Sequence, residues 1–380
     1  MYMVCIMHTL ACGGVLAACT EGTMPYKVFW LLEFLSYCAV DAFALLSGYT
    51  ATGKMRKFEK LADMWFQAFF YSFVITAILT IAGLNPGWNV KDLIKAALPV
   101  AFGAFWYFTA FFALFFAIPV LNRFIFSVDE KAARCALVLL IALFSGIELL
   151  AGAFNTREGY SALWLMVLYC VGALAKQGKV FERKRSLTLA AAWIVCVLIT
   201  WFVHVFIGSR RLTSYVSPTI VASGLIMVIL FSRLRPKGTV VKKLSPLVFG
   251  IYLFQLNPVI WNTYLQGRAS FVAQAGVAAG VGYVFIIAGG IFLSGLIVEF
   301  VRSRLAKIMR IPVLSQKIVA LIQWVLQKVL IVLNLAPQPD SIRQKENGRK
   351  GVFPPAAYRS MPTAHCFFAC CTAFSAVRVL

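Results

Sequence analysis

The chain has 380 residues, of which 61% are hydrophobic and 13% are charged, and its mean hydropathy is +0.83. No water-soluble fold of this length could bury so much apolar surface, so the composition excludes a soluble protein. The net charge of +22 would favour nucleic-acid binding in a soluble protein. In a membrane protein the same charges report topology instead, and no nucleic-acid partner is expected.

Ten apolar runs follow one another along the chain, and each is predicted to cross the membrane. A helix of roughly 17–25 apolar residues spans the ~30 Å hydrocarbon core of a bilayer. The predicted fold is therefore all-α, a polytopic integral membrane helical bundle of about ten transmembrane helices. The predicted spans are Met1–Thr20, Val28–Thr50, Leu61–Gly83, Ala96–Leu121, Cys135–Phe154, Ser161–Ala175, Ser186–Ile207, Pro218–Phe231, Leu244–Tyr264 and Phe271–Val301.

Lysine and arginine are concentrated in every second loop between these spans. By the positive-inside rule the basic loops face the cytoplasm, and an even number of spans places both termini there as well. The expected location is the cell (plasma) membrane, with a multi-pass topology. The first span begins at Met1 without a basic flank, so no signal peptide is expected; either this span is short or the true start lies upstream.

Three segments are expected from these patterns. Residues 1–310 form the ten-span membrane domain, and residues 311–336 form an amphipathic helix at the inner membrane surface. Residues 337–380 are polar and basic and are expected to be a disordered cytoplasmic tail. His365 and its neighbouring cysteines do not have the spacing of a zinc site, so no metal is expected.

Ionisable side chains inside the membrane are costly, and they therefore mark candidate functional residues. His8 lies in the first span, whereas Glu33 and Asp41 lie in the second. At 1.5 Å per residue, His8 is ~18 Å and Asp41 ~20 Å below the outer surface, so a short loop would bring them level. A carboxylate that orients an imidazole is the usual arrangement of a general base, and we predict that Asp41 orients His8. A buried pair that only joins two helices is the alternative.

The second span carries a polar stripe. Glu33, Tyr37, Asp41 and Gly48 fall on one helical face, and this face is predicted to point into the protein.

Four stretches resemble motifs of the membrane acyltransferase 3 family, in the order in which that family has them. The first is a hydrophobic strip that ends in Ser-Gly-Tyr before a basic loop, and the others are a Trp-Tyr segment ending in Pro-x-Leu-Asn, a Gly-Tyr-Ser-x-x-Trp sequence, and a Phe-Gly-Ile-Tyr-Leu sequence. In this chain they are Val40–Tyr49, Phe105–Asn122, Gly159–Trp164 and Phe249–Gln255.

The resemblance implies an O-acyltransferase that moves acetyl or succinyl from cytoplasmic acyl-coenzyme A to a hydroxyl of a cell-surface or lipid-linked glycan. It implies a catalytic role for His8, and donor binding by Arg56, Lys57 and Lys60 after the Ser-Gly motif. Cationic side chains suit the phosphates of coenzyme A. Substrate binding is predicted for Glu33, Tyr37, Trp106 and Tyr107. The expected partners are membrane lipids, acyl-coenzyme A as donor substrate and a glycan or glycolipid acceptor, with no tightly bound cofactor.

Two departures from the family pattern stand out. The family commonly places an arginine eleven residues before the histidine, a position that would precede Met1. In addition, Gln255 stands where a later histidine is usual.

Two other classes of function fit an apolar chain with interior polar residues. A transporter or flippase for a lipid-linked sugar also needs polar groups on interrupted helices. No paired halves or inverted repeats are evident in the sequence, and the polar groups cluster in the first two spans. A purely structural membrane partner is the third class.

Overall fold

The computed structural model describes residues 1–53, 57–234 and 239–333, and the regular structure within these ranges is entirely helical. The predicted all-α polytopic bundle is confirmed. We number the helices in chain order: α1 (Tyr2–Ala18), α2 (Met24–Tyr49), α3 (Phe58–Ile81), α4 (Val90–Ala97), α5 (Trp106–Ile125), α6 (Glu130–Ala151), α7 (Ala162–Gln177), α8 (Ser186–Ile207), α9 (Pro218–Arg233), α10 (Val241–Gln255), α11 (Ile260–Gln274), α12 (Val277–Ile308) and α13 (Ile311–Val332).

Within the described ranges, eight helices are long and apolar enough to cross a membrane. They are α2, α3, α5, α6, α8, α9 with the turn before it, α12 and α13. Helices α10 and α11 together form one further candidate, which is bent by 75° between its halves, and α1 and α7 are shorter apolar helices. Each of the ten predicted runs therefore coincides with apolar helix.

The fourth predicted span differs from the structure. Ala96 belongs to the short helix α4, and the spanning helix α5 begins only at Trp106. The chain between them contains Pro99, which has no N–H to donate, and Gly103, whose φ of +63° is left-handed. From hydropathy alone we predicted one span, whereas the backbone forms two separate helices, α4 and α5.

The bend between α10 and α11 also has a local cause. Asn257 lies at the break, and its side-chain oxygen accepts hydrogen bonds from the backbone N–H groups of Val259 and Ile260. Its amide nitrogen donates to the Tyr71 carbonyl at 2.7 Å and to Thr76 at 2.9 Å. The break is thus capped by a side chain and fastened to α3.

By its contacts the chain divides into two units, Met1–Met309 and Arg310–Leu380. The described part of the second unit is α13, a helix of 22 residues. The interfacial placement of 311–336 stays a prediction, because by length and apolarity α13 also qualifies as a span. The predicted disorder of 337–380 and the residues from His365 onward lie outside the described residues.

Helices α2 and α7 pack backbone to backbone in the largest apolar cluster of the first unit. A Cβ built on Gly48 would lie 1.9 Å from the Tyr169 carbonyl oxygen, and one on Gly172 would lie 2.1 Å from the Leu45 carbonyl oxygen. Each glycine therefore makes room for the backbone of the other helix. This explains why the second-span motif ends in glycine at this position.

Contacts join three of the basic loops at one end of the bundle, and we call this end, where by chain order the other basic loops also lie, the basic face. Arg233 donates hydrogen bonds to the carbonyl oxygens of Phe181 and Lys184 at 2.8 Å. Lys179 forms an ion pair with Glu130 at 2.9 Å, and its hydrogen bond to that carboxylate raises the pKa of Lys179. We call the other end of the bundle the opposite face.

In the part of the chain that the structure describes, four helices contain a π-helical turn, in which the backbone holds one residue more than an α-helical turn. These turns are His8–Cys12, Phe70–Val74, Ala142–Ile147 and Ile260–Leu265. Each turn carries a side chain with a polar group, namely His8, Tyr71, Ser145 and Trp261 in chain order.

Candidate active site

His8 is the first residue of the π turn in α1 and points toward the break between α10 and α11. Trp261 packs edge-on against its ring, with ring centroids 5.1 Å apart. The side chain of Gln255 lies next to it. Among the described residues, Nδ1 of His8 has no hydrogen-bond partner although the atom is buried. An imidazole in this condition has a ring nitrogen available to a substrate.

Gln255, the last residue of the fourth motif, completes this pocket. Its side chain is fully buried, and its Nε2 lies 3.7 Å from the sulfur of Met1. Its Oε1 has no partner within the described part of the chain. Gln255 is close enough to interact with the His8 ring, yet neither this Oε1 nor Nδ1 of His8 forms a hydrogen bond of normal geometry with a described residue. A buried polar atom without a partner costs roughly 1–3 kcal/mol, which makes Nδ1 of His8 a candidate contact for a ligand. We call His8, Gln255 and Trp261 the His8 pocket.

Asp41 is buried, with 1% of its surface exposed, but its partner is not His8. Its Oδ1 accepts a hydrogen bond from Nε1 of Trp164 at 3.3 Å, and its Oδ2 has no partner among described residues. The predicted pairing of Asp41 with His8 is therefore wrong for this structure. A catalytic contribution from Asp41 by another route stays a prediction.

The pairing fails because two residues at one depth need not face each other. The half of α2 that carries Asp41 packs mainly against α7, whose Trp164 supplies the indole N–H. The π turn of α1 packs instead against α12 and the first half of α2. Depth could be calculated from the spans, but the rotation of each helix depends on its neighbours.

The polar stripe of the second span does face the interior. Glu33, Asp41 and Gly48 are buried, and Tyr37 is partly buried at the turn that interrupts α2 at Cys38. One carboxylate oxygen of Glu33 has no partner among the residues described.

The third motif supplies the partner of Asp41. Ser161 precedes α7, and its side-chain oxygen accepts the backbone N–H of Trp164 at 3.1 Å, which caps the helix. Gly159 has a φ of +101°, and a Cβ there would lie 2.5 Å from the Cβ of Tyr215. The glycine thus allows the loop to pass Tyr215, and the cap sets the indole toward Asp41.

The other motifs also meet in the interior. The hydroxyl of Tyr169 on α7 donates to Oδ1 of Asn122, the asparagine of the Pro-x-Leu-Asn turn, at 2.6 Å. The backbone N–H of Tyr107 donates to the hydroxyl of Tyr252 in the fourth motif at 3.2 Å. The four motifs, far apart in sequence, therefore form one connected framework.

Three of the four predicted substrate-binding residues lie along a row of aromatic rings. Tyr37 stacks on Tyr215 at 4.5 Å, and Tyr215 meets Tyr160 at 5.3 Å. Tyr160 lies 4.6 Å from Trp106, which in turn packs edge-on against Tyr107. Tyr160 lies outside the spans, and burial raises its pKa.

The carboxylate of Glu33 is within electrostatic range of Tyr37, Tyr160 and Tyr215. The aromatic row with this carboxylate offers stacking surfaces and a hydrogen-bond acceptor, which suits a polar ring such as a sugar.

Two of the predicted donor-binding residues line one cavity. Lys57 and Lys60 border a cavity of about 270 Å³, and its other walls are Met64, Phe111 and Phe115. Lys60 also forms a weak ion pair with Asp63 at 3.9 Å and is largely exposed. Arg56, the third predicted donor residue, lies outside the described residues. The cavity combines positive charge with an apolar wall, as a ligand with a phosphate and an apolar chain requires.

A second buried polar cluster surrounds Glu299 of α12, a residue that the sequence did not single out as a candidate. Arg302 forms two hydrogen bonds of 2.7 Å to Glu299, and Tyr71 donates to the same carboxylate at 3.0 Å. Glu299 is 1% exposed, although its position near a span end suggests a solvated side chain. A Cβ on Gly250 would collide with its carboxylate at 2.2 Å, so the glycine of the fourth motif accommodates Glu299.

Sequence reasoning also missed Trp164, Tyr160 and Tyr215 as site residues. The first two lie in the third motif, which was therefore the available signal for them. Nothing in the sequence marks Tyr215.

Comparison with known proteins supplies one match. A family model described as an acyltransferase domain, that of acyltransferase 3, matches residues 1–299. No curated protein and no solved structure matches the chain. The matched residues include all four motifs, the His8 pocket and the cavity bordered by Lys57 and Lys60.

Proposed function

Because the chain belongs to the membrane acyltransferase 3 family, and is thus an enzyme that transfers acyl groups, we propose that it acylates a glycan. The acyl group, acetyl or succinyl, comes from acyl-coenzyme A, and the acceptor is a hydroxyl of a cell-surface or lipid-linked glycan. The observation that carries the proposal is the buried Nδ1 of His8, which has no hydrogen-bond partner among the described residues. An acceptor hydroxyl has one proton to donate, and Nδ1 of His8 can accept it.

The chemistry needs a base. A hydroxyl is a poor nucleophile at neutral pH, and His8 takes its proton as the oxygen attacks the thioester carbonyl. The carbon–oxygen bond forms, the carbon–sulfur bond breaks, and coenzyme A leaves as the thiol after it receives a proton. Because Asp41 is bonded to Trp164, the orientation of His8 rests on Trp261 and Gln255.

Donor binding is assigned to the basic face. Lys57 and Lys60 bind phosphate groups of coenzyme A as point charges, and Met64, Phe111 and Phe115 contact the methyl and methylene groups of its pantetheine arm. The acceptor is assigned to the aromatic row and Glu33. The donor then binds from the basic face, which we propose to be cytoplasmic, and the acceptor reaches His8 from another part of the bundle.

A transport function is the second candidate, and the broken pair α10 and α11 favours it, because interrupted helices line the binding sites of many transporters.

The test that separates the two functions is reconstitution of the purified protein in vesicles with acyl-coenzyme A labelled in the acyl group and a glycan acceptor. Label that becomes covalently bound to the glycan supports the acyltransferase. Glycan that crosses the bilayer unmodified, with no label transferred, would contradict it and support the transporter.

Orientation is tested separately with an impermeant thiol reagent in intact cells, against the parent protein as background. A cysteine at Glu182 on the basic face should be protected, and one at Arg210 on the opposite face should react. The reverse pattern would place the donor on the wrong side of the membrane and overturn the assigned direction.

A further inference from the structure

Helix α4 lies at the opposite face, between the end of α3 and the start of α5, and does not cross the membrane. It packs against the second half of α3. Asn89 caps it by accepting the backbone N–H of Asp92 at 3.0 Å. The loop before it is held by a hydrogen bond from the Tyr264 hydroxyl to the Leu84 carbonyl at 3.4 Å. These contacts place α4 beside the second half of α3.

One side of α4 is apolar and exposed. Val90, Ile94 and Leu98 follow one another at steps of four, with exposed fractions of 64%, 54% and 47%. At 3.6 residues per turn Val90 and Ile94 lie on one side of the helix, and Leu98 follows directly after its last residue, Ala97. We call these three exposed side chains the apolar strip. Ala96 is buried on the other side. The strip therefore faces away from the protein, at the level where spanning helices begin and end.

Two lysines border this strip. Lys91 and Lys95 are one turn apart and lie beside the apolar side chains on the helical wheel, whereas Asp92 lies farther round. Both lysines are exposed, and neither forms an ion pair with any residue that the structure describes. Trp88, two residues before α4, is half exposed. Tryptophan is enriched at membrane interfaces. A protein-facing side, an apolar strip and an adjacent row of cations form the pattern of a helix lying in the interface.

We propose that α4 is a phospholipid-binding site of the opposite face. Val90, Ile94 and Leu98 insert between the acyl chains, and Lys91 with Lys95 binds the phosphate of an anionic phospholipid in the same leaflet. The occupant is the bilayer itself, because the ends of α3 and α5 hold α4 at the membrane surface. The charges are complementary to phosphate, and the lysine side chains are long enough to reach the headgroups while the strip stays in hydrocarbon.

The first test measures the depth of the two sides in lipid nanodiscs. Cysteines replace Ile94 and Asp92 in separate variants of the full chain and carry nitroxide labels, with the labelled parent protein as background. We expect the label at position 94 to be more accessible to oxygen and the label at position 92 to be more accessible to a water-soluble nickel chelate. Equal exposure of both labels to the chelate would show that α4 lies in water and would overturn the proposal.

The second test measures lipid retention by native mass spectrometry of the detergent-purified protein with phosphatidylglycerol or phosphatidylcholine. Two lysines near an anionic lipid surface should together account for roughly thirtyfold in affinity, so K91Q/K95Q should lose phosphatidylglycerol by that factor. The matched control R210Q/R211Q removes two exposed charges of the same face outside α4 and should retain the lipid.

Two outcomes would overturn the lipid assignment. One is equal retention of the two lipids by the parent protein, because a phosphate-binding lysine pair distinguishes net charge. The other is full displacement of phosphatidylglycerol by an equal concentration of inorganic phosphate, which would make the site one for free phosphate. Both tests measure lipid contact and not acyl transfer, so their outcomes do not depend on the proposed function.

Discussion

The crossing of α2 and α7 and the His8 pocket are both buried and both built from family motifs, yet they are organised in opposite ways. At the crossing, glycines bring two backbones into contact, and the phenol of Tyr169 is paired with Asn122. In the His8 pocket, His8 and Gln255 each keep a buried polar atom without a partner in the described structure. The Tyr169 phenol therefore has its partner inside the bundle, whereas the His8 ring keeps a nitrogen that a ligand can reach. Burial alone does not separate the two regions, and the hydrogen-bond partner of each buried polar group has to be examined as well.

The largest expected effect is on catalysis in the His8 pocket. A positioned general base contributes ~10²–10⁴-fold, so H8A should lower the rate of acyl transfer by about this factor. Donor affinity should change little, because His8 does not border the cavity of Lys57 and Lys60. Single-turnover transfer with labelled acyl-coenzyme A measures the rate. A folded H8A protein with near-normal transfer would remove His8 from the mechanism.

The next effect concerns folding at the helix crossing. G48A places a methyl group 1.9 Å from a backbone oxygen, which forces α2 and α7 apart and should cost about 3 kcal/mol of stability. The control is G282A, at a helical glycine of α12 with no neighbouring atom within 4 Å. Thermal unfolding in detergent compares the two variants. Equal melting temperatures would show that the crossing is looser than described.

A matched pair of polar truncations sharpens the comparison between the two regions. Y169F removes the hydroxyl bonded to Asn122 and leaves a buried acceptor without that donor, which should cost about 2 kcal/mol of stability. Q255L removes an amide whose oxygen is already unpartnered, so its cost in stability should be smaller, but acyl transfer should fall. The ranking of the two melting temperatures is the measurement. A reversed ranking would mean that the His8 pocket is part of the framework.

The smallest expected effect is at the cavity on the basic face. Exposed charge pairs contribute about 1 kcal/mol or less each, so K57Q/K60Q should weaken binding of acyl-coenzyme A by roughly tenfold, with a smaller salt dependence. Calorimetric titration at two salt concentrations measures both quantities. The control K91Q removes an exposed lysine of the opposite face and should leave donor affinity unchanged. Equal donor affinity in K57Q/K60Q and the parent protein would refute the assignment of this cavity to the donor.

The sequence was sufficient to predict the fold and the motifs, but not the partners inside the site. Apolar length predicted the helices, since every backbone polar group must be paired within a bilayer. It misplaced the start of α5, because Pro99 and Gly103 interrupt a run that is apolar throughout. The polar stripe of α2 was predicted from periodicity and is confirmed by the burial of Glu33 and Asp41.

The partner of Asp41 was predicted wrongly, because the rotation of a helix depends on tertiary contacts that no local pattern contains. Trp164 could be located from its motif, but its role could not. The third motif is identified by spacing, whereas its hydrogen bond to Asp41 joins residues 123 positions apart. The same holds for Tyr169 with Asn122 and for Tyr107 with Tyr252.

Because of the π turns, the direction in which His8 points is sensitive to the deletion of a single residue. His8 and Trp261, which meet in the His8 pocket, each belong to a turn with one residue more than an α-helix holds. Deleting one of the residues after His8 in this turn, Thr9 to Cys12, would restore regular α-helix and rotate the two ends of α1 by about 100° relative to each other. The substitutions discussed above leave this rotation intact, whereas a one-residue deletion would turn His8 away from Trp261 without altering a single side chain of the pocket.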